Sequence, residues 1–271
     1  MICDLHIHSN FSDSSRSVQE VINLAKENSI DTISIVDHDT VETFEYIKTL
    51  KDIDNIVIIP GIEISAFDYK RNRKIHLLAS VYEKVDSIKK ICRKNLDNRN
   101  KNSEKQLKII REKGFLIDED IAHSVNSRKT LYKQHIMRAL TKSDFDSRQY
   151  QNLYKALFKN GGIADFSFEY LDIYDALDAV LEDGAIPVLA HPGETKSFEI
   201  VESLVDKGLR GIEVFHSSHS ENDVKRAKEI AKKYNLIITG GSDDHGIYGK
   251  KVDIGGIDLD TDIVEKLNYK L

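Results

Sequence analysis

Short apolar, β-branched runs that end abruptly in polar or charged residues alternate along this chain with segments whose apolar residues recur every three or four positions. The runs are Asp4 to Ser9, Ile33 to Asp39, Ile56 to Glu63, Ile75 to Leu78, Ile186 to Gly193 and Ile237 to His245. Buried parallel strands that deliver polar groups to their C-terminal ends read this way. Between the first two runs, Val18, Val21, Ile22 and Ala25 follow helical spacing over Ser17 to Asn28, with Ser17 a predicted N-cap and Glu20 completing a capping box. Thr40 to Lys51, Tyr174 to Asp183, Ser197 to Lys207 and Glu221 to Tyr234 behave likewise, so the βαβα order predicts an α/β fold with a mostly parallel sheet.

The interval from Val85 to Leu171 breaks this rhythm, because helical pattern dominates it and no buried strand stands out. It is predicted to be a helical insertion, residues 85–171, between two parts of one barrel-like domain, residues 1–84 and 172–271.

The polar ends of the runs carry the chemistry. His6 and His8, two residues apart on a strand, point to one side while Cys3, Leu5 and Ile7 face the other, so two imidazoles can hold one cation. Asp13 follows them, and His38, Glu63, His76, His191 and the Asp243-Asp244-His245 run lie at or near the ends of later strands. A single His at a strand end is ordinarily a hydrogen-bonded residue of the core or surface. Recurrence at run after run points to a shared site, because strand ends converge on one face in barrel-like α/β folds.

Composition narrows the picture. With 271 residues, 40% hydrophobic and 31% charged, the chain is globular and long enough for one large domain or one domain with an insertion. No run approaches the roughly 20 apolar residues that span a bilayer, and no signal-peptide layout precedes the first strand, so a cytoplasmic location without membrane partners is expected. Cys3 and Cys92 make no disulfide framework or paired thiolate motif. A nitrogen and oxygen donor set favours Mn, Fe or Zn over a thiolate zinc site.

From Lys89 to Lys113 there are ten Lys/Arg and three Asp/Glu, a local balance of +7 in a chain whose net charge is −6. Two readings stay open, a solvated charged helix and an electropositive lid over a phosphorylated ligand. Gly240-Gly241 lacks the spacing of either phosphate-cradling glycine fingerprint.

Taken in order, Asp-Leu-His-Ile-His-Ser, Val-Asp-His-Asp, Pro-Gly-Ile-Glu, Ala-His-Pro-Gly and Gly-Ser-Asp-Asp-His resemble the PHP (polymerase and histidinol phosphatase) family. The interruption bearing Gln134-His135-Ile136-Met137-Arg138-Ala139-Leu140 is similar to the insert of its small stand-alone branch, which includes nucleotide 3′,5′-bisphosphate phosphatases and 5′-to-3′ exonucleases. The resemblance implies a distorted (β/α)7 TIM-like barrel with an inserted, mainly helical subdomain. It also implies three divalent metal ions. His6, His8, Glu63 and Asp243 would hold the first, Glu63 would bridge to a second held also by His76 and His191, and Asp13, His38 and His245 would hold the third. Asp244 is a spacer in that pattern.

The same resemblance implies hydrolysis of a phosphate ester, on a phosphorylated small molecule or short oligonucleotide, by a metal-bridging hydroxide. No stable protein partner is implied. The leaving alkoxide needs a proton. His216 and His219 follow another apolar strand, and His219 matches the family's strand-following His-Ser pair; it is the candidate acid or substrate contact, with capping of the next helix as the other reading. Lys133, His135 and Arg138 are the candidate substrate contacts of the insert. On a helix from Lys133 to Lys142, His135, Arg138 and Lys142 would share a face, and Arg138 could grip a second phosphate. The chain departs from the branch at Lys133-Gln134-His135, where Arg-Pro-His is usual, and at Glu194, where an Arg often follows His-Pro-Gly. Those differences touch substrate contacts and leave the metal positions intact. A histidinol-phosphate or other small-molecule phosphatase, and a non-catalytic metal-binding module, are the alternatives.

Overall fold

The structure is a computed structural model that describes residues 2–51, 53, 55–82, 84–118, 120–121, 130–257, 259 and 266–267. Strand β1 (Cys3–Ile7) is buried along its length and runs parallel to β2 (Thr32–Ile35). Helix α1 (Val18–Glu27) joins them, burying Val18, Val21, Ile22 and Ala25 as their spacing predicts. Its capping box is present: the Ser17 hydroxyl accepts the Glu20 N–H at 3.2 Å, and the Glu20 carboxylate accepts the Ser17 N–H at 2.7 Å. Helix α2 (Glu42–Ile47) is shorter than the expected Thr40 to Lys51 segment.

The run from Ile56 to Glu63 divides in two. Pro60, which has no N–H to give to a ladder, separates β3 (Val57–Ile58), paired with β2, from β4 (Gly61–Asp68), which joins a second sheet. Strand β5 (Arg73–Ser80) returns antiparallel to β4. The four-residue turn between them is too short for a parallel crossover, and Asp68 braces it by accepting the N–H groups of Lys70 and Arg71.

Three helices follow, α3 (Asp86–Glu112), α4 (Lys133–Leu140) and α5 (Arg148–Phe158), with no strand between β5 and β6 among the described residues. The chain then returns through β6 (Leu171–Asp172), α6 (Ile173–Glu182), β7 (Ile186–Leu189), α7 (Pro192–Thr195), α8 (Val201–Val205), β8 (Gly211–His216), α9 (Glu221–Tyr234) and β9 (Ile237–Gly241). The segment expected as one helix from Ser197 to Lys207 is a 3-10 turn, Phe198–Ile200, leading into α8.

The architecture is therefore α/β, with a parallel sheet ordered β1-β2-β3 and a mixed sheet ordered β6-β4-β5-β7-β8-β9. Isolated parallel bridges, Ile7 with Asp244 and His38 with Glu63, stitch the two sheets together where the polar strand ends lie. There the His8 N–H donates to the Asp244 carbonyl at 3.0 Å, the Asp243 N–H to the His6 carbonyl at 2.7 Å, and the Asp39 N–H to the Glu63 carbonyl at 2.9 Å. Gly241 permits this seam, since a Cβ there would collide with the backbone of His6. That is the work of the glycine pair that matched no phosphate fingerprint.

The main core gathers Ile62, Ile64, Leu77, Leu177, Leu189 and Ile212, and the first turns of α3 contribute Ile88 and Cys92 to it. A separate cluster joins Leu107 and Ile110, from the far half of α3, to Ile136, Met137, Tyr150 and Phe158. No helix among the described residues is long and apolar enough to cross a membrane.

Candidate metal centre

Glu63 is the hub of the strand-end cluster. Its Oε2 lies 3.3 Å from His6 Nε2, 3.1 Å from His8 Nε2 and 3.2 Å from His38 Nδ1. Its Oε1 lies 2.7 Å from His76 Nδ1 and 2.8 Å from His191 Nε2. The five imidazoles come from β1, from the loops after β1, β2 and β7, and from the first half of β5. Because β5 runs against its neighbours, the early position of His76 falls at the same end of the sheet as the late positions of the others.

Asp243 faces His6 and His8 from the third side, with Oδ1 at 3.3 and 3.2 Å. Asp13 gathers a second set, with its carboxylate 3.4 Å from His245 Nε2, 3.8 Å from His38 Nε2 and 4.0 Å from His8 Nδ1. All nine positions expected to hold metal thus meet in one place. His6, His8, Glu63 and Asp243 form one group whose donor atoms lie within 4.8 Å of one another; His8, Asp13, His38 and His245 form a second; His38, Glu63 and His76 form a third. Two further groups, His6 with Glu213 and His216 and Glu194 with His216 and Asp243, adjoin these; His191 adds to Glu63, and His6, His8, His38, His216, Glu63 and Asp243 each belong to two groups, so the sets are more interlocked than three separate lists.

The donor set fits divalent cations. His8 Nδ1, His38 Nδ1, His191 Nδ1 and Asp13 Oδ1 are buried and, among the described residues, make close contacts at most and no well-aligned hydrogen bond, and His6 and His8 bring their Nε2 atoms to 3.2 Å. Buried polar atoms are rarely left so. Electrostatics agree with close charge packing. Burial opposes a charge on His191 and His245, yet neighbouring carboxylates outweigh it and raise them to about 9 and about 10. His38, where burial prevails, is lowered to about 3. The Asp13 carboxyl, despite its burial, is held well below its ordinary range by His38 and His245. Three residues beside the cluster, His191, Asp243 and Asp39, have positive φ, at 25, 58 and 59°.

The flanking carboxylates of Val-Asp-His-Asp brace the site. Asp37 accepts the hydroxyls of Ser9, Ser12 and Thr43, fixing the loop after β1. Asp39 accepts Arg99 at 2.9 Å and Asn95 at 2.9 Å, tying α3 to the strand ends.

A cavity of about 220 Å³ opens over Asp13, His38, Glu63, His76, His191, Asp243 and His245. Beside it lies a cavity of about 330 Å³ that shares Asp13, His38, His76, Gln134 and Glu194 and adds four cations: Lys74, Arg99, Lys133 and Lys159. Arg99 sits between the rings of Tyr132 and Phe168, at 4.8 and 5.4 Å. Burial, with Lys74 and Lys159 nearby, lowers Lys133 to about 8.

A model of the PHP domain matches residues 4–179. The chain belongs to the PHP domain family. This PHP chain is 40% identical to the phosphoribosyl 1,2-cyclic phosphate 1,2-diphosphodiesterase of Eggerthella lenta, over 94% of its own length and 98% of the relative's. It is 23% identical to the 5′-3′ exoribonuclease Rnm of Escherichia coli, over 90% of its length and 85% of that enzyme's. Among solved structures, a candidate metal-dependent phosphoesterase from Bifidobacterium adolescentis has the same fold, with a TM-score of 0.86 at 22% identity, covering 98% of this chain and 94% of that one.

The structure redraws the residues expected around the metals. His219 has both ring nitrogens on backbone: Nδ1–H donates to the Val214 carbonyl at 2.8 Å, and Nε2 accepts the Gly193 N–H at 3.1 Å. Burial lowers its pKa, and it lines neither cavity, so it locks the turn after β7 and is not placed to donate a proton to substrate. His135 is fully buried and takes the Tyr132 N–H on Nδ1; burial lowers it to about 4, leaving it neutral. Arg138 donates to the Lys142 carbonyl at 3.3 Å and lines neither cavity. The shared helix face fails because α4 ends at Leu140 and Thr141 is extended, so Lys142 is off the helix. Of the three insert contacts, Lys133 alone faces the site.

Several participants carried no sequence signal of their own. Gln134 donates to Asp13 at 2.8 Å, so α4 reaches the cluster through the residue that stands where proline is usual. Lys74 and Lys159 are scattered among 39 Lys/Arg, whereas Arg99 falls in the basic stretch from Lys89 to Lys113. Glu213 lies in β8 inside an unremarkable apolar run. His216, expected from the sequence to follow an apolar strand, directs Nε2 toward Asp243 Oδ2 at 3.3 Å.

Proposed function

We propose that this PHP-family enzyme, a metal-dependent phosphoesterase, hydrolyses a cyclic phosphodiester on a phosphorylated ribose. The observation that carries the reading is the joining of two cavities, one lined by the metal cluster and one by Lys74, Arg99, Lys133 and Lys159. A phosphoribosyl cyclic phosphate carries two phosphoryl groups of different kinds. One would meet the cluster as the reacting ester; the other would be held at a distance by cations. The Eggerthella lenta relative, named for such a substrate, matches almost end to end.

His6, His8, Glu63 and Asp243 would hold one cation, Glu63 with His76 and His191 a second, and Asp13, His38 and His245 a third, with Mn, Fe or Zn suited to the donors. Bound, these cations would supply charge neutralisation at the phosphoryl oxygens and acidification of water. The chain's own part is positional. Glu63 and Asp243 fix the imidazoles, Gln134 orients Asp13, and Arg99, fixed by Asp39, lines the cation cavity. Water adds to phosphorus, the bond to one ribose oxygen breaks, that oxygen takes up a proton, and a phosphomonoester remains.

The scaffold is read as a distorted seven-stranded barrel. Strands β1, β2, β4, β5, β7, β8 and β9 would form a ring closed through the His38–Glu63 and Ile7–Asp244 bridges. Residues 85–171 are read as its helical insertion and substrate lid, with a core of their own in the far half of α3, α4 and α5. A second reading, a nucleotide bisphosphate or the 5′ end of a short oligonucleotide, draws on the Rnm likeness. Phosphate release and ester opening, measured with Mn²⁺ on phosphoribosyl 1,2-cyclic phosphate, a nucleoside 3′,5′-bisphosphate and a 5′-phosphorylated oligonucleotide, separate the readings. The cyclic ribose substrate is expected to give the highest kcat/KM, and a higher value on either nucleotide would replace the proposal.

A further inference from the structure

Glu213 is a fully buried carboxylate with no place among the nine expected metal positions. It projects inward from β8 between Ile212 and Val214, which pack in the main core. Its Oε1 and Oε2 lie 3.1 and 3.3 Å from His6 Nδ1. Its Oε2 also accepts the backbone N–H of His191 at 2.8 Å.

An ionised carboxylate only accepts hydrogen bonds, so Nδ1 of His6 must carry the proton in this contact, and a neutral ring then presents its Nε2 lone pair. That lone pair faces His8 Nε2 at 3.2 Å, Glu63 Oε2 at 3.3 Å and Asp243 Oδ1 at 3.3 Å. Three further electron-rich atoms around it are reconciled by a cation between them. The second bond acts on the backbone. His191 sits at φ 25°, ψ 59°, and the bond to Glu213 holds this turn while His191 Nε2 meets Glu63 Oε1 at 2.8 Å.

We propose that Glu213 is a positioning residue that selects the metal-binding tautomer of His6 and, through the His191 backbone, couples the first cluster to the second. This rests on reading His6 and His191 as metal ligands. Packing alone does not account for Glu213, because a carboxylate buried for volume would not need two donors from segments on different strands. Partners of this kind are typically worth about 10- to 100-fold in metal affinity.

The test is Glu213→Gln, which keeps the volume but replaces one acceptor with a donor. The amide must then face either the His191 N–H or His6 Nδ1, and in the second case it favours the tautomer whose Nε2 is blocked. Chelator competition on the wild type and the variant is expected to show about a 10- to 100-fold loss of Zn²⁺ affinity, and turnover at saturating metal should lose kcat more than it raises KM. Unchanged affinity, with only a lower melting temperature, would make Glu213 a packing residue and overturn the proposal. If the variant does not fold, long-range ¹H–¹⁵N spectra of Zn²⁺-loaded wild type decide. A protonated Nδ1 on His6 is expected, and a protonated Nε2 overturns the idea. A wild type that binds no metal sinks the ligand reading together with this one, whereas absent phosphoesterase activity with normal metal binding would fault the substrate reading alone.

Discussion

At the strand ends, Glu63 has five imidazoles within 3.3 Å, each carried by backbone bound into or beside a sheet. In the neighbouring cavity, Lys74, Lys133 and Lys159 reach in on long side chains, and Arg99 is fixed by a carboxylate, Asp39, at 2.9 Å. The first region is over-determined: moving one group disturbs several others. In the second, change is expected to be tolerated one cation at a time. On the proposed function, reaction chemistry and substrate choice would be divided between a rigid cluster and an adjustable one, which agrees with relatives of one family differing in the substrates they are named for.

The largest effect that would sharpen this contrast is expected at the hub. Glu63→Ala leaves five imidazoles without their shared carboxylate, so bound metal, measured by elemental analysis, should fall. Turnover should drop by more than about a thousandfold, beyond the roughly 10²–10³ that one electrostatic contact is worth. Near-normal activity would show that the cluster is not over-determined.

Next comes the cation cavity. Lys133→Ala removes a charge-assisted contact of about 1.5–3 kcal/mol, lowering kcat/KM about ten- to a hundredfold on a doubly phosphorylated substrate. A small chromogenic diester should be spared. Arg138→Ala, outside both cavities, should leave both substrates unchanged; a loss there equal to that of Lys133→Ala would return the phosphate contact to Arg138.

A smaller effect is expected from pH. Lys133 has a lowered pKa, about 8, so its charge is present below that value and lost above it. Phosphate binds the charged form, and KM for the doubly phosphorylated substrate should therefore climb between pH 7 and pH 9.5, by less than about tenfold. Lys133→Arg should flatten that rise, and an identical rise in the arginine variant would assign it to another group.

The smallest catalytic effect is expected at His219. His219→Ala strands the Gly193 N–H and the Val214 carbonyl, costing stability of about 1–3 kcal/mol by thermal or urea unfolding. kcat should stay within about twofold, and a hundredfold loss in metal-loaded, folded protein would reinstate His219 as the acid.

Much of the fold was legible along the chain. Ser17 and Glu20 announced the cap of α1, and Glu221 to Tyr234 marks α9 residue for residue, because caps and helical spacing are local properties. The β4–β5 hairpin was not, since a buried antiparallel strand and a buried parallel one share the same apolar composition. The helix face proposed for Arg138 failed over two residues, where an extended Thr141 ends α4 before Lys142.

The sequence by itself determined that polar strand ends carry a clustered nitrogen and oxygen donor set, and its resemblance to the PHP family implied the reaction class. His6 and His8 must share a face because strands alternate, and ordered polar strand ends need only a sheet to bring them together. The tertiary structure decided what surrounds them. Glu213 meets His6 across 207 residues and Gln134 meets Asp13 across 121, while Lys74, Arg99, Lys133 and Lys159 come from four separate segments. No local periodicity encodes such pairings, because they depend on how distant elements pack, and a lone Glu, Gln or Lys in its own stretch of chain looks like any other.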